Sequence, residues 1–375
     1  MGLQLLLDKS TLQSFSYDET WVLKQYYYVV YAPILFIEIL GDLKKVEGND
    51  EKSQEIVARV AKKIQLGDSC FTANYRILLK ANLLGHKVDM DRRPFRLGGE
   101  YFTDSTGRRG ILFEEEPERE SLRHWVAGEF TEAEHALSKA WRFSTRTIDL
   151  EKWQKIANIF PSASSLNDLR PAVQRYCDDP NRQLQNLQFL LGEAGIPDSS
   201  SSPICNRWRQ CGMPRLRSFA PYAYYCLTVF ISFYTALANR LIGTRPTNRV
   251  DLEYLLYLPF CYAFSSSDNF HRQFASLFLT TGQDFIDGLM LKQDISRIQA
   301  HWASISEPER KKYREQSGSY PPDWDDSITN HLWKKHMKPR SEYKGLELTP
   351  ERRKRLMEHL QPILDAVEQI KKTND

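Results

Sequence analysis

The sequence predicts an α/β protein, a parallel sheet flanked by helices and interrupted by a long helical insertion. Three observations lead there. Short apolar runs typical of buried strands stand at 4–7 and again at 259–265. Between them lies a charged stretch of helical period, roughly 45–215. Acids sit within or just past the apolar runs, where a carboxylate is costly to bury unless a cation compensates it.

The elements follow in order. A strand at 4–7 ends in Asp8, and a helix is predicted over 18–30, with Asp18 and Glu19 at its positive end. Pro33 restarts the chain into a second helix that carries Glu38. Helical periodicity then marks 52–64, 74–84, 118–143 and 150–160. The Gly- and Arg-rich pieces at 91–99 and 106–110 read as a loop or short hairpin. Serine-rich breaks follow at 162–165 and 198–203, the second being the best linker candidate. The apolar stretch 219–238 is diluted by Pro221, Thr228, Ser232, Thr235 and four tyrosines, so a buried central helix is expected rather than a membrane span. Asp251 opens another short helix, Pro259 breaks it, and the strand after it runs towards Asp268. A last helix is capped by Thr349. The expected division is a core at 1–45 and 216–300, a helical insertion at 46–215 and a helical C-terminal extension at 301–375.

Composition narrows the function. With 41% hydrophobic and 12% aromatic residues the chain can bury a core, and a net charge of +3 confines any nucleic-acid face to local patches. Six cysteines without CxxC spacing, behind a start that lacks a basic leader, read as reduced thiols of a cytoplasmic protein. The eight histidines form no HxxxH or HExxH pattern, and His271 reads as a surface or capping residue. No phosphate-binding glycine loop and no Gly-x-Ser-x-Gly elbow is present.

Asp8 after the first strand, Glu38 on an early helix, Asp251 at a later helix start and Asp268 after the following strand together resemble the PIN-domain nucleases. The resemblance covers about 1–45 and 216–300. Ser266 stands where that family usually has Thr, Phe270 is one residue closer than usual, and the insertion is large. The resemblance implies a PIN-like core and a Mg²⁺- or Mn²⁺-dependent nuclease, with RNA the expected substrate and Asp8, Glu38, Asp251 and Asp268 as both catalytic residues and metal ligands. Ser10 and Ser266 are expected to orient the carboxylates, although Ser10 also reads as a helix N-cap. Two ions about 4 Å apart would stabilise attacking and leaving oxygens. Size and decoration suit a toxin or anti-phage effector, by analogy alone.

Nucleic-acid contacts are expected from Arg92, Arg93, Phe95, Arg96, Arg108 and Arg109, which set guanidinium forks beside an aromatic ring, and from Lys334 and Lys335. The stretch 331–359 holds nine Lys or Arg against four Glu. No membrane partner is expected, while a protein partner or regulator and a homo-oligomer stay open. The competing reading is a non-catalytic interaction subunit that keeps the core and uses its acids structurally.

Overall fold

A computed structural model describes residues 2–46, 48–67, 69–103, 107, 109–113, 116–155, 159–339, 350, 351, 354, 357, 358 and 361. Arg108, Thr349 and most of the expected last helix lie outside the described residues.

Strand β1 (Leu3–Leu7) is buried at every position, as an inner strand covered on both faces must be. Asp8 caps α1 (Lys9–Ser14), and a reciprocal Ser16–Glu19 capping box starts α2 (Tyr17–Tyr26). The helix expected to Val30 stops at Tyr26, and β2 (Tyr27–Tyr31) follows. Those five residues are all aromatic or β-branched, and pairing with β1, Leu3 opposite Tyr27, overrides the helical period. Pro33 then begins α3 (Pro33–Gly41).

After α4 (Asp50–Ile64) the chain forms β3 (Ser69–Phe71), which pairs parallel with β2. The sheet therefore takes a strand from within 46–215 and does not end at residue 45. Helix α5 (Tyr75–Leu83) precedes an antiparallel hairpin, β4 (Gly99–Thr103) and β5 (Arg109–Phe113), at the Gly- and Arg-rich segment. The helix expected over 118–143 is two, α6 (Pro117–Val126) and α7 (Glu132–Arg146). Gly128, at φ +77°, ends the first, and a Thr131–Glu134 capping box starts the second.

Helices α8 (Leu150–Lys155), α9 (Leu166–Asp178) and α10 (Gln183–Glu193) follow. The segment expected as a linker is helical as well, opening α11 (Asp198–Gln210). There the Ser201 and Ser202 hydroxyls donate back to the Pro197 and Asp198 carbonyls, and Ile204 and Trp208 are buried, so packing outweighs the serine-rich signal. A short α12 (Leu216–Phe219) leads to α13 (Pro221–Ala238), which buries Val229, Phe230 and Phe233 completely. Its principal neighbours are α5, α8, α9 and α10 rather than the strands. Asn82 Oδ1 of α5 accepts the first amides of α13, from Tyr222 at 2.9 Å and Ala223 at 3.2 Å. Among the described residues no helix is long and apolar enough to cross a membrane.

The chain continues through α14 (Asn248–Leu255), β6 (Ala263–Ser266), α15 (Asn269–Phe274), β7 (Asp284–Asp287), α16 (Gly288–Ser304), α17 (Glu307–Ser317) and α18 (Ile328–His336). Five strands make one parallel sheet in the order β3-β2-β1-β6-β7. The strands expected at 4–7 and 259–265 share this sheet as β1 and β6, Leu7 opposite Ser265, although Leu258–Phe260 is a 3-10 turn and the second strand begins only at Ala263. The order reverses between β1 and β6, and in open α/β sheets ligands bind beyond the carboxyl ends of strands at such a point. A Cβ on Gly288 would fall on the Ser267 hydroxyl and 2.5 Å from Thr11 Oγ1, so only glycine lets α16 close against α1 and the end of β6. Farther on, Trp333 Nε1 of α18 donates to the Tyr26 carbonyl and Tyr27 donates its hydroxyl hydrogen to Thr329, each at 3.1 Å. One contiguous core runs from Leu3 to Trp333.

Candidate active site at the carboxyl edge of the sheet

Asp8 and Asp268 stand just past the ends of β1 and β6, and Ser266 joins them. The Ser266 hydroxyl oxygen is 2.7 Å from Asp8 Oδ2 and accepts the Asp268 amide at 3.0 Å. Asp8 also accepts the Thr11 amide at 2.8 Å and the Ser10 hydroxyl at 2.7 Å. Both serines thus contact the carboxylate that they were expected to orient. The N-cap of α1 is Asp8 rather than Ser10, because the chain turns into helix immediately after the strand. Asp268 caps α15 by accepting the Phe270 amide at 2.7 Å, and Arg245 lies 3.5 Å from its second oxygen.

His271 is fully buried within this group, not on the surface. Its Nε2 lies 2.8 Å from the Asp251 carbonyl and its Nδ1 lies 2.8 Å from the Ser266 hydroxyl. Asp8 Oδ2 is 3.8 Å from Nδ1, too far for a hydrogen bond, so Ser266 bridges the two. Burial pulls the His271 pKa down, but Asp8 and Asp251 outweigh it and the net shift is upward. Burial likewise raises Asp8, and His271, Ser266 and the Thr11 amide reverse the sign and hold it below the ordinary carboxylate range. Both shifts favour the pair in which an imidazolium donates to Ser266, which donates in turn to an ionised Asp8.

Glu38 and Asp251 approach from the helices α3 and α14. Tyr254 donates its hydroxyl hydrogen to Glu38 at 2.5 Å, and Lys9 Nζ donates to the Glu38 carbonyl at 3.1 Å while pairing with Asp42 at 3.0 Å. Burial, with a smaller contribution from Asp8, raises the Glu38 pKa against the pull of Lys9 and Tyr254. Asp251 is pushed up to about 7, by burial first and then by Glu38 and Asp268. Its Oδ2 is buried with no hydrogen-bond partner among the described residues, an arrangement that normally requires a proton or a cation.

The four sequence-selected acids therefore occupy one electrostatic neighbourhood. They are not gathered into a finished ligand cage, since among the described residues no three His, Cys, Asp or Glu donors are placed to hold an ion. Two cavities lie nearby, of which the first touches an acid of this group and the second none. One, of about 240 Å³, is lined by Lys9, Glu38, Trp141, Arg142 and Thr247. The other, of about 770 Å³, also meets Trp141 and includes Arg76, Arg96 and Glu253.

The basic residues expected at the two clusters are largely engaged in local contacts. Arg92 bonds the Thr281 carbonyl, ahead of β7 and so at the opposite edge of the sheet from the acids. Arg93 is paired with its neighbour Asp91. Arg96 pairs with Glu116 at 3.2 Å and lies over the Phe113 ring. Phe95 packs against the core, because its backbone is tied to Thr72 and Ala73. Arg109 is exposed at the start of β5. Lys334 pairs with Asp323 and Lys335 with Asp284. Sequence reading missed His271, Tyr254 and Arg245 as members of the acid site. The available signal for His271 was its place one helical turn after Asp268. No protein-family model, no curated protein and no solved structure matches the chain.

Proposed function

We propose that the protein is a Mg²⁺- or Mn²⁺-dependent nuclease with a PIN-like core, hydrolysing phosphodiester bonds in RNA. The observation that carries the reading is the partnerless buried Asp251 oxygen, held near Glu38, Asp268 and Asp8 where the strand order reverses. The donor chemistry fits a hard divalent cation, since all four acids offer oxygen and a cation would satisfy the orphaned atom. Asp8, Asp251 and Asp268 would hold the ion, with Glu38 reaching it directly or through water. When bound, the ion would activate a water and offset charge on the phosphodiester.

The chain's own residues set the frame. Thr11, Ser10 and Ser266 fix the Asp8 carboxylate, and Ser266 is itself positioned by the His271 ring. Lys9 and Arg142 at the smaller cavity, and Arg245 beside Asp268, supply positive charge for phosphates. RNA is preferred because the resembled family is rich in ribonucleases.

The test is cleavage of an unstructured labelled RNA and the matched DNA, with Mn²⁺ or with excess chelator. Cleavage should require Mn²⁺, favour RNA, and fall at least about a hundredfold in Asp251→Asn and in Asp8→Asn. Undiminished cleavage by Asp251→Asn, or in chelator, overturns the reading. A second reading, a non-catalytic interaction subunit, is favoured by the capping roles of Asp8 and Asp268. It predicts no cleavage and no stabilisation by Mn²⁺.

A further inference from the structure

At the opposite edge of the sheet, ahead of β6 and β7, lies a separate cavity of about 400 Å³. Arg92, Arg170 and Arg217 reach it from a loop, α9 and the start of α12, and no acid lines it. None of the four carboxylates of the carboxyl edge is among its lining residues.

The arginines are weakly compensated. Arg92 and Arg170 have no carboxylate partner among the described residues, and Arg217 meets Asp178 only at 3.8 Å. Arg92 adopts φ +68°, a left-handed conformation that costs energy for a residue with a side chain. Two bonds of 2.8 Å hold it there, from its amide to the Pro259 carbonyl and from its guanidinium to the Thr281 carbonyl. Such strain persists where the surroundings enforce it, and it collects at ligand sites.

The walls are rigid and aromatic. Tyr224 is tied through its hydroxyl to Asp178 at 2.8 Å, and Tyr225 to the Leu255 carbonyl at 2.6 Å. Phe278 stands edge-on to Tyr225 with centroids 6.3 Å apart. The volume falls within the range of small-molecule sites. Three guanidinium groups exceed what one carboxylate needs and suit a phosphate, which arginine recognises with paired N–H donors. The aromatic walls suit a flat ring.

We propose that this cavity binds a nucleotide, its phosphate held by Arg92, Arg170 and Arg217 and its base lodged against Tyr225 and Phe278. The site stands independently of any chemistry at the acids.

The test is calorimetric titration of the full chain, in chelator, with the four nucleoside 5′-monophosphates, inorganic phosphate and the parent nucleosides. At least one monophosphate should bind with a dissociation constant below about 1 mM. It should bind at least about tenfold more tightly than phosphate or its nucleoside alone. Arg170 is exposed, so Arg170→Ala should leave the fold intact and weaken binding about tenfold or more, with Arg170→Lys recovering part of the loss. Asp251→Asn should leave binding unchanged. Absence of binding by all four monophosphates overturns the proposal. So does affinity indifferent to both Arg170→Ala and Arg92→Ala, or binding that disappears in Asp251→Asn.

Discussion

The strand side and the helix side of the acid site are built on different terms. On the strand side, Asp8 receives the Thr11 amide and the Ser10 and Ser266 hydroxyls, with His271 behind Ser266. On the helix side, Glu38 receives one phenolic hydrogen and Asp251 keeps a buried oxygen with no partner. The first carboxylate is lowered in pKa and the other two are raised. A carboxylate met by several donors stays charged under burial, whereas one with fewer donors and acids for neighbours is driven towards sharing a proton or attracting a cation. The strand side therefore has its donors in place, and the helix side leaves a buried carboxylate oxygen unmatched.

The sharpest way to break this contrast is to unbalance the satisfied side. His271→Ala would leave a buried, ionised Asp8 facing only hydroxyls and an amide, and should cost about 3–5 kcal/mol in urea unfolding at pH 6. A loss below about 1 kcal/mol would mean that His271 is neutral and that Asp8 needs no counter-charge.

On the helix side, Tyr254→Phe removes the hydrogen donated to the Glu38 carboxylate and should cost about 1.5–3 kcal/mol at pH 8, where Glu38 is most ionised. An unchanged midpoint would show that Glu38 keeps its own proton at that pH.

Asp251→Asn should move stability the other way. Because the folded pKa of Asp251 is raised, the metal-free fold carries no penalty from it below about pH 4. The penalty grows as pH rises and is complete above about 7. The raised His271 acts in the same direction, since its contribution is present below its unfolded pKa and lost as pH rises through the folded one. Asp8 acts oppositely, losing its contribution only as pH falls below the ordinary carboxylate range. Metal-free protein should thus melt progressively lower between pH 5 and 8, and Asp251→Asn should flatten that slope and gain about 2–4 °C at pH 8. A variant that melts lower than the parent at pH 8 would place a hidden partner on Asp251.

Arg93→Ala should be the mildest change, leaving the urea-unfolding midpoint where it is, because its pair with Asp91 is local and exposed. A lowered midpoint would give the 91–99 segment a structural role that its contacts do not suggest.

Much of this site was legible in the sequence, and the reasons are local. Asp8 and Asp268 each follow an apolar run, and the neighbouring register of β1 and β6 brings both to one edge. Glu38 and Asp251 sit on short helices whose starts are marked by Pro33 and Asn248. Legibility fails where pairing is non-local. Tyr27–Tyr31 follows an amphipathic helix without a break and becomes a strand only through β1. Ser69–Phe71 is three residues long, and Asp284–Asp287 sets only two apolar residues between acids, so neither shows the run of a buried parallel strand. His271 was missed because a histidine's surroundings are set by tertiary packing, here Phe264 and Tyr254 from two other elements.

The seam at Gly288 makes α16 a strut shared by two sites. The helix is 17 residues long, a rod of about 25 Å. Its near end abuts Thr11 and Ser267 without slack, and near its far end Trp302 donates to the Tyr26 hydroxyl at 2.8 Å. Between those ends it packs against α2, α1 and α18, so the aromatic hollow between Trp21 and Tyr313 and the residues flanking Asp8 rest on one and the same helix.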